Sequence, residues 1–139
     1  WSFIFKVLRS FGFSDMFVDW VKNLFQSAHI SVFINGSPKG YFTCSKGVRQ
    51  GNPLSAILFS IAEDYISRLL TCMVDQCKLN SIHAAMNVVN PTHLLYADDI
   101  ILFFQVTKRN IQNLKSALSH YEEFSGQSIN LSKSSIYFG

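Results

Sequence analysis

The stretch "HLLYADDIILFF", residues 93–104, sets the tightest limit on what this chain can fold into. Two short runs rich in Leu, Ile and Phe suit strands buried on both faces, and only Ala97, Asp98 and Asp99 stand between them. The expected product is a β-hairpin with two carboxylates at its tip. Adjacent acids in poorly solvated surroundings repel each other and lose hydration that apolar neighbours do not replace. On an extended backbone Tyr96 and Asp98 share one face while Ala97 and Asp99 share the other, so Asp98 is the expected full ligand for a cation. Two explanations stay open at this point. Asp is common in plain turns because its side chain satisfies local backbone groups. Against that, such a turn usually draws on Gly or Asn to reach positive φ, and this one holds neither. A hard divalent cation prefers carboxylate oxygens and would relieve the repulsion directly.

The rest of the chain alternates helical and strand-like patterns. Ile4, Val7, Leu8 and Phe11 recur at helical spacing, with Gly12 placed to end that helix in a left-handed conformation. Ser14 is the expected N-cap of a second helix, whose stripe of Phe17, Val18, Val21, Leu24 and Phe25 runs to about Gln26. In "HISVFINGSPKGYFTCSKG", Ile30, Val32 and Ile34 alternate, "NGSPKG" is turn chemistry, and "YFTCS" returns as the second strand of a hairpin. Pro53 suits a first helical position, and Leu54, Ile57, Leu58, Ile61, Tyr65, Leu69 and Met73 carry a long helix to about Cys77. A short strand is expected around Ala84 to Val89. Thr107 caps a helix bearing Ile111, Leu114, Leu118 and Tyr121, which Gly126 ends, and "SSIYFG" supplies a closing strand. The pattern predicts one compact α+β unit.

Composition narrows the class further. A chain of 139 residues, 48% of them hydrophobic, matches one domain with a sizeable core. It opens on Trp1 inside a helical pattern and closes on a strand-like run, so a segment of something longer is expected. The net charge of +3 permits contact with a polyanion without demanding it. Cys44, Cys72 and Cys77 fit neither a redox pair nor a zinc spacing and are expected to be reduced thiols of an intracellular protein. The four histidines, His29, His83, His93 and His120, are scattered without ligand spacing. The longest apolar runs fall short of the roughly twenty residues a membrane span needs, so no membrane partner is expected.

A second segment bears on chemistry. "SKGVRQGNPLS", residues 45–55, joins the first hairpin to the long helix. Its glycines let a backbone pass close to a ligand, Arg49 offers a forked donor for phosphate, and Gln50 can hydrogen-bond a base or sugar. Asn52 as N-cap and Pro53 as first helical residue explain "NP" without any ligand, but they leave "RQG" unexplained. An acid pair for cations together with an Arg-bearing helix entrance suggests chemistry on a phosphate ester.

The order "RQGNPLSAILF", then "HLLYADDIILFF", then "SGQSINLSKSSIYF" resembles the reverse transcriptase domain of non-LTR, LINE-type retrotransposons, over nearly the whole chain. The resemblance implies an RNA-directed DNA polymerase of right-hand architecture. Residues 1–139 would form part of the fingers and most of the palm, an antiparallel sheet backed by helices, without the thumb. It implies Asp98 and Asp99 as metal ligands for Mg²⁺, or Mn²⁺ in its place, and Tyr96 near the primer end. Arg49, Gln50 and Gly51 would line the nucleotide and template pocket, and Lys133 would lie near the leaving phosphate. The implied partners are an RNA template, a DNA primer and deoxynucleoside triphosphates, and the implied location is the nucleus. The oligomeric state is left open.

Two departures qualify the resemblance. The family's usual Asp between Gly and Pro is Asn52 here, which keeps a cap and loses a charge. The family's first catalytic aspartate is expected on a strand preceding the tryptophan that matches Trp1, outside this chain, so the segment alone is expected to be inactive. Asp15, Asp19, Glu63 and Asp64 fall on helical patterns, with no reason to converge on Asp98. Competing expectations are an inactive retroelement remnant with residual nucleic-acid binding, an intron maturase-like protein, and a structural α+β module in which Asp98 and Asp99 only turn the chain.

Overall fold

The structure, a computed structural model, describes residues 1–45, 47–48, 51–82 and 91–137. Among these residues are four helices and two small antiparallel hairpins, in the order α1 (Ser2–Ser10), α2 (Asp15–Ser27), β1 (His29–Ile34), β2 (Ser37–Thr43), α3 (Pro53–Asp75), β3 (His93–Tyr96), β4 (Asp99–Leu102) and α4 (Lys108–Ser125). The chain divides into two compact units, Trp1–Ala62 and Glu63–Gly139, with the boundary inside α3.

In the first unit, α1 ends as its glycine foretells. Gly12 takes φ +85°, its amide donates to the Arg9 carbonyl, and the Phe13 amide donates to that of Leu8. Ser14 caps α2 by accepting from the Phe17 amide at 3.3 Å. Phe3, Ile4, Val7 and Leu8 of α1 are buried, as are Val18, Val21 and Phe25 of α2, with Leu58 and Ala62 from the start of α3. The β1–β2 turn is tighter than "NGSPKG" suggests. Asn35 and Gly36 alone turn the chain, both at positive φ, and Ser37–Gly40 already belong to β2. Pro38 is tolerated because this strand has an open edge. Both faces of the hairpin stay largely open, with Phe33 and Tyr41 more than two-thirds exposed.

In the second unit, Ile66, Leu70, Met73, Leu79, Leu114 and Tyr121 are buried, and Tyr65 packs against Tyr121 and Phe124 of α4. The buried line of α3 runs Leu58, Ala62, Ile66, Leu70, Met73; of the expected residues Leu58 and Met73 lie on it, while Leu54, Ile57, Ile61, Tyr65 and Leu69 do not. The helix is apolar nearly all round, so its periodicity does not single out a face; Ile57 is 57% exposed. It ends at Asp75 rather than Cys77. Cys77 takes φ +53°, and the Lys78 amide returns to the Met73 carbonyl, a glycine-type cap without the glycine. Thr107 accepts from the Asn110 amide at 3.1 Å to start α4, and Gly126 at φ +74° ends it.

Two expectations fail. Among the described residues the strands form two two-stranded antiparallel sheets rather than a single sheet. The closing strand does not form over Ser134–Tyr137: Asn130 organises a turn through Ser132 and Lys133, and Ile136 and Tyr137 remain exposed with no strand pairing their backbone among the described residues. The expected strand at Ala84–Val89 lies outside the described residues, as does His83. Among the described residues no helix is long and apolar enough to cross a membrane, and Cys44, Cys72 and Cys77 are unbridged.

Candidate active site

The carboxylate hairpin is a tight one. His93 pairs with Leu102, Leu94 with Ile101, Leu95 with Ile100 and Tyr96 with Asp99, so Ala97 and Asp98 make the whole turn. Ala97 supplies the positive φ, +50°, in the absence of glycine. This register corrects the expected facing. Cross-strand partners share a face, so Tyr96 sits with Asp99, and Asp98 stands at the tip.

Burial also differs from expectation. The strands are covered on one face only: His93, Leu95, Ile100 and Leu102 are half-buried, whereas Leu94, Tyr96, Asp99 and Ile101 are exposed. A two-stranded sheet with one covered face leaves its tip in solvent, and Asp98 and Asp99 are both exposed. Water therefore screens the repulsion that the sequence argument treats as the reason for a cation. What remains is a pair of adjacent carboxylates with no hydrogen bond or ion pair among the described residues. Their oxygens suit a hard cation such as Mg²⁺, which keeps several waters and takes one or two carboxylates alongside substrate phosphates. Among the described residues no group of three His, Cys, Asp or Glu side chains gathers to hold a metal.

The hairpin is held at its base. His93 Nε2 lies 2.8 Å from the Ser67 hydroxyl of α3, and Nδ1 lies 2.8 Å from the Thr92 hydroxyl. Burial lowers the His93 pKa, so the neutral ring between two hydroxyls is favoured. The Phe103 amide donates to the Thr92 carbonyl at 2.9 Å, continuing the pairing past β4.

Of the Arg-Gln-Gly segment, Arg49 and Gln50 lie outside the described residues. Gly51 takes φ +82° with open space where a Cβ would stand, so the backbone conformation rather than crowding selects glycine there. Asn52 accepts from the Leu54 amide at 3.0 Å, the expected cap. Beside this segment lies a cavity of about 350 Å³ lined by Trp1, His29, Tyr41, Gly47, Asn52 and Ser55 among others. The Trp1 indole N–H donates to the Gly47 carbonyl at 2.6 Å.

Lys133 is exposed on the turn that Asn130 organises, its amide bonded to the Asn130 carbonyl at 3.1 Å. The other acids are helical, as expected: Arg9 pairs with Asp15, and Arg68 with Asp64. Sequence reasoning missed the role of Glu63. It is buried on α3, accepts from Gln127 Nε2 at 3.4 Å, and stands beside the Tyr121 hydroxyl, which itself donates to Gln127 Oε1. Burial raises the Glu63 pKa, against the opposing effect of hydrogen bonds from Gln127 and Tyr121. Burial and the neighbouring Glu63 also raise the Tyr121 pKa. Glu122 Oε1 accepts from the Ile129 amide at 2.6 Å. These bonds fix the chain as it leaves α4. The available signal was a carboxylate, Glu63, next to the apolar line of a helix.

Comparison with known proteins gives the family. Over 130 residues, 94% of its length, the chain is 30% identical to a retrovirus-related Pol polyprotein from a type-2 retrotransposable element of Drosophila melanogaster. It is 32% identical over 134 residues to an uncharacterized transposon protein of Xenopus laevis, and 39% identical over 71 residues to an uncharacterized mitochondrial protein of Arabidopsis thaliana. The chain spans 11% and 10% of the first two relatives and 58% of the third. Residues 1–138 match the family model described as reverse transcriptase (RNA-dependent DNA polymerase). With the acid hairpin, the capped helix entrance and the Asn130 turn all inside that match, the chain belongs to the reverse transcriptase family.

Proposed function

We propose that the chain is the part of a non-LTR retrotransposon polymerase that carries the fingers-to-palm segment, and that its parent protein extends a DNA primer on an RNA template from deoxynucleoside triphosphates. The observation that carries this reading is the family match over residues 1–138, with Tyr96, Asp98 and Asp99 together on one hairpin. Asp98 and Asp99 are the side chains that would hold Mg²⁺ or Mn²⁺, which when bound lends Lewis acidity to phosphate oxygens and to a hydroxyl nucleophile. The turn presents Asp98 and the start of β4 presents Asp99, both free of competing protein partners among the described residues. Tyr96, 82% exposed beside Asp99, offers an open ring for the primer end. Arg49 and Gln50 would bind triphosphate and template, with Gly51 giving the backbone the left-handed geometry that leads into α3. Lys133 would neutralise the departing phosphate from the turn beyond α4.

Two carboxylates on one hairpin are a sparse ligand set for two-metal chemistry. Activity is therefore assigned to the longer protein, with a further acid supplied from outside residues 1–139. The test is primer extension on an RNA template by the parent protein and by its Asp98→Ala variant. The expected result is a loss of at least about a hundredfold, the scale of losing metal-borne charge stabilisation. Equal extension by both proteins refutes the polymerase assignment, and absence of extension by the unsubstituted parent favours an inactive remnant. Mg²⁺ titration of the Asp98→Asn, Asp99→Asn double variant separates a cation site from a plain turn, which would bind the ion no differently.

A further inference from the structure

The acid hairpin and the Lys133 turn, far apart in sequence, are both tied to a single turn of α3. Ser67 holds the base of the hairpin, its hydroxyl 2.8 Å from His93 Nε2. One helical turn earlier, Glu63 accepts from Gln127 Nε2 at 3.4 Å. Helical residues at that spacing stand on one face, about 6 Å apart along the axis. Tyr121 of α4 donates to the other end of the same amide, Gln127 Oε1, so both ends of that group are specified. From there to Ser134 the chain is pinned in steps. The Gln127 amide donates to the Ser125 hydroxyl at 3.1 Å, and the Ile129 amide to Glu122 Oε1 at 2.6 Å. Asn130 Oδ1 accepts from the Ser132 amide at 3.1 Å, and the Asn130 carbonyl accepts from the Lys133 amide at 3.1 Å and the Ser134 hydroxyl at 2.9 Å.

A buried carboxylate at position 63 carries a desolvation cost, and a leucine there would add apolar area beside buried Ala62 and Ile66 without it. What the carboxylate supplies and leucine lacks is a directed acceptor. We propose that the Glu63–Ser67 turn of α3 sets the Lys133 turn and the acid hairpin in register with each other, with Glu63, through Gln127, and Ser67, through His93, as positioning residues for nucleotidyl transfer. Both roles rest on the assignment above of cation binding to Asp98 and Asp99 and of phosphate neutralisation to Lys133. Neither Glu63 nor Ser67 touches a reacting atom in this scheme. Lys133 matters most as charge builds on the departing phosphate, so displacing it slows the chemical step and spares nucleotide binding. Loosening the hairpin acts instead on the cation, whose carboxylates must then be ordered at each binding event.

Gln127→Leu removes both amide bonds at an exposed position. In the parent protein this variant is expected to lower kcat about fivefold, the size of one net hydrogen bond, with the nucleotide KM within about twofold. Combined with Lys133→Ala it is expected to add no further loss, because it acts through that lysine. Ser67→Ala is expected to raise the Mg²⁺ concentration for half-maximal rate about fivefold, and Ser67→Thr, which keeps the hydroxyl, to leave it unchanged. The Ile129 and Lys133 amides are expected to exchange with solvent about fivefold faster in Gln127→Leu, a readout that needs no turnover. Unchanged exchange overturns the inference, and so does a Gln127→Leu loss that persists in full beside Lys133→Ala, which marks a merely structural bond. An unaltered Mg²⁺ requirement in Ser67→Ala overturns it as well, and each of these results in an active parent leaves the polymerase assignment standing. A Lys133→Ala variant with the parent's kcat removes the role of Lys133, and a parent that extends no primer removes the polymerase assignment; the inference falls with either.

Discussion

Tyr96 and Asp99 face each other across the last pair of the β3–β4 ladder, leaving Ala97 and Asp98 alone to reverse the chain. Ala97 bears the conformational cost, at φ +50°. A left-handed residue with a Cβ costs roughly 1–2 kcal/mol, and glycine there recovers most of it while adding roughly 0.5–1 kcal/mol of unfolded-state entropy. Ala97→Gly is therefore expected to raise unfolding free energy by up to about 1 kcal/mol. Ala97→Val should lower it by about 1–2 kcal/mol, because a branched side chain fits that region worst. Urea titration of the three proteins checks both signs.

His93 gives the hairpin a dependence on acidity. Burial depresses its pKa below the ordinary 6.5, so the unfolded chain binds the proton first. Stability from the neutral ring is full above pH 6.5 and is lost as pH falls from there through the depressed folded value. His93→Gln should lack this acid loss. Unfolding free energies measured at about pH 5 and about pH 7.5 are expected to differ more in the unsubstituted protein than in the variant.

Glu63 acts with the opposite sign. Its pKa is raised from 4.5 by burial, so the folded state keeps a proton that the unfolded state releases. Its contribution is greatest at acid pH and declines as pH rises from 4.5 through the raised folded value. Glu63→Gln, similar in shape and uncharged, should abolish that decline. Because the Glu63 and His93 slopes oppose each other, each is measured as the difference between the unsubstituted protein and its own variant. Tyr121→Phe removes the donor to Gln127 Oε1 and is expected to cost about 1–2 kcal/mol in denaturant unfolding.

The ends of α4 supply a fourth expectation. Thr107→Ala removes the side-chain acceptor of the Asn110 amide and should cost about 1 kcal/mol, while Thr107→Ser retains it. Gly126→Ala places a Cβ at φ +74° and should cost about 1 kcal/mol despite the open space around it. Thermal melts of the three variants read both effects.

Local features were legible because local chemistry decides them. Ser14, Asn52 and Thr107 cap the helices expected of them, Gly12 and Gly126 end theirs, and Asn35–Gly36 turns a hairpin. Helix faces and strand burial were less legible. On α3 apolar residues surround the axis, so which line is buried depends on neighbours that spacing does not encode. The runs flanking Asp98 look suited to a doubly covered sheet, yet they form a two-stranded ribbon with one face in water. The expected closing strand has the composition of a strand and pairs with no strand among the described residues. Tyr96, Asp98 and Asp99 do share one hairpin, as type and order suggest, but their facing differs from the expectation because the turn takes two residues and not three. Bonds between residues far apart in sequence, such as Trp1 with Gly47 and Ser67 with His93, leave no periodic trace.

The brevity of the Ala97–Asp98 turn bears on how tightly an ion could be gripped. A two-residue connection samples few backbone states, so most of the disorder of Asp98 is surrendered during folding. The same carboxylate on a long, wandering loop would surrender that freedom at every encounter with a ligand, and each encounter would be weaker for it.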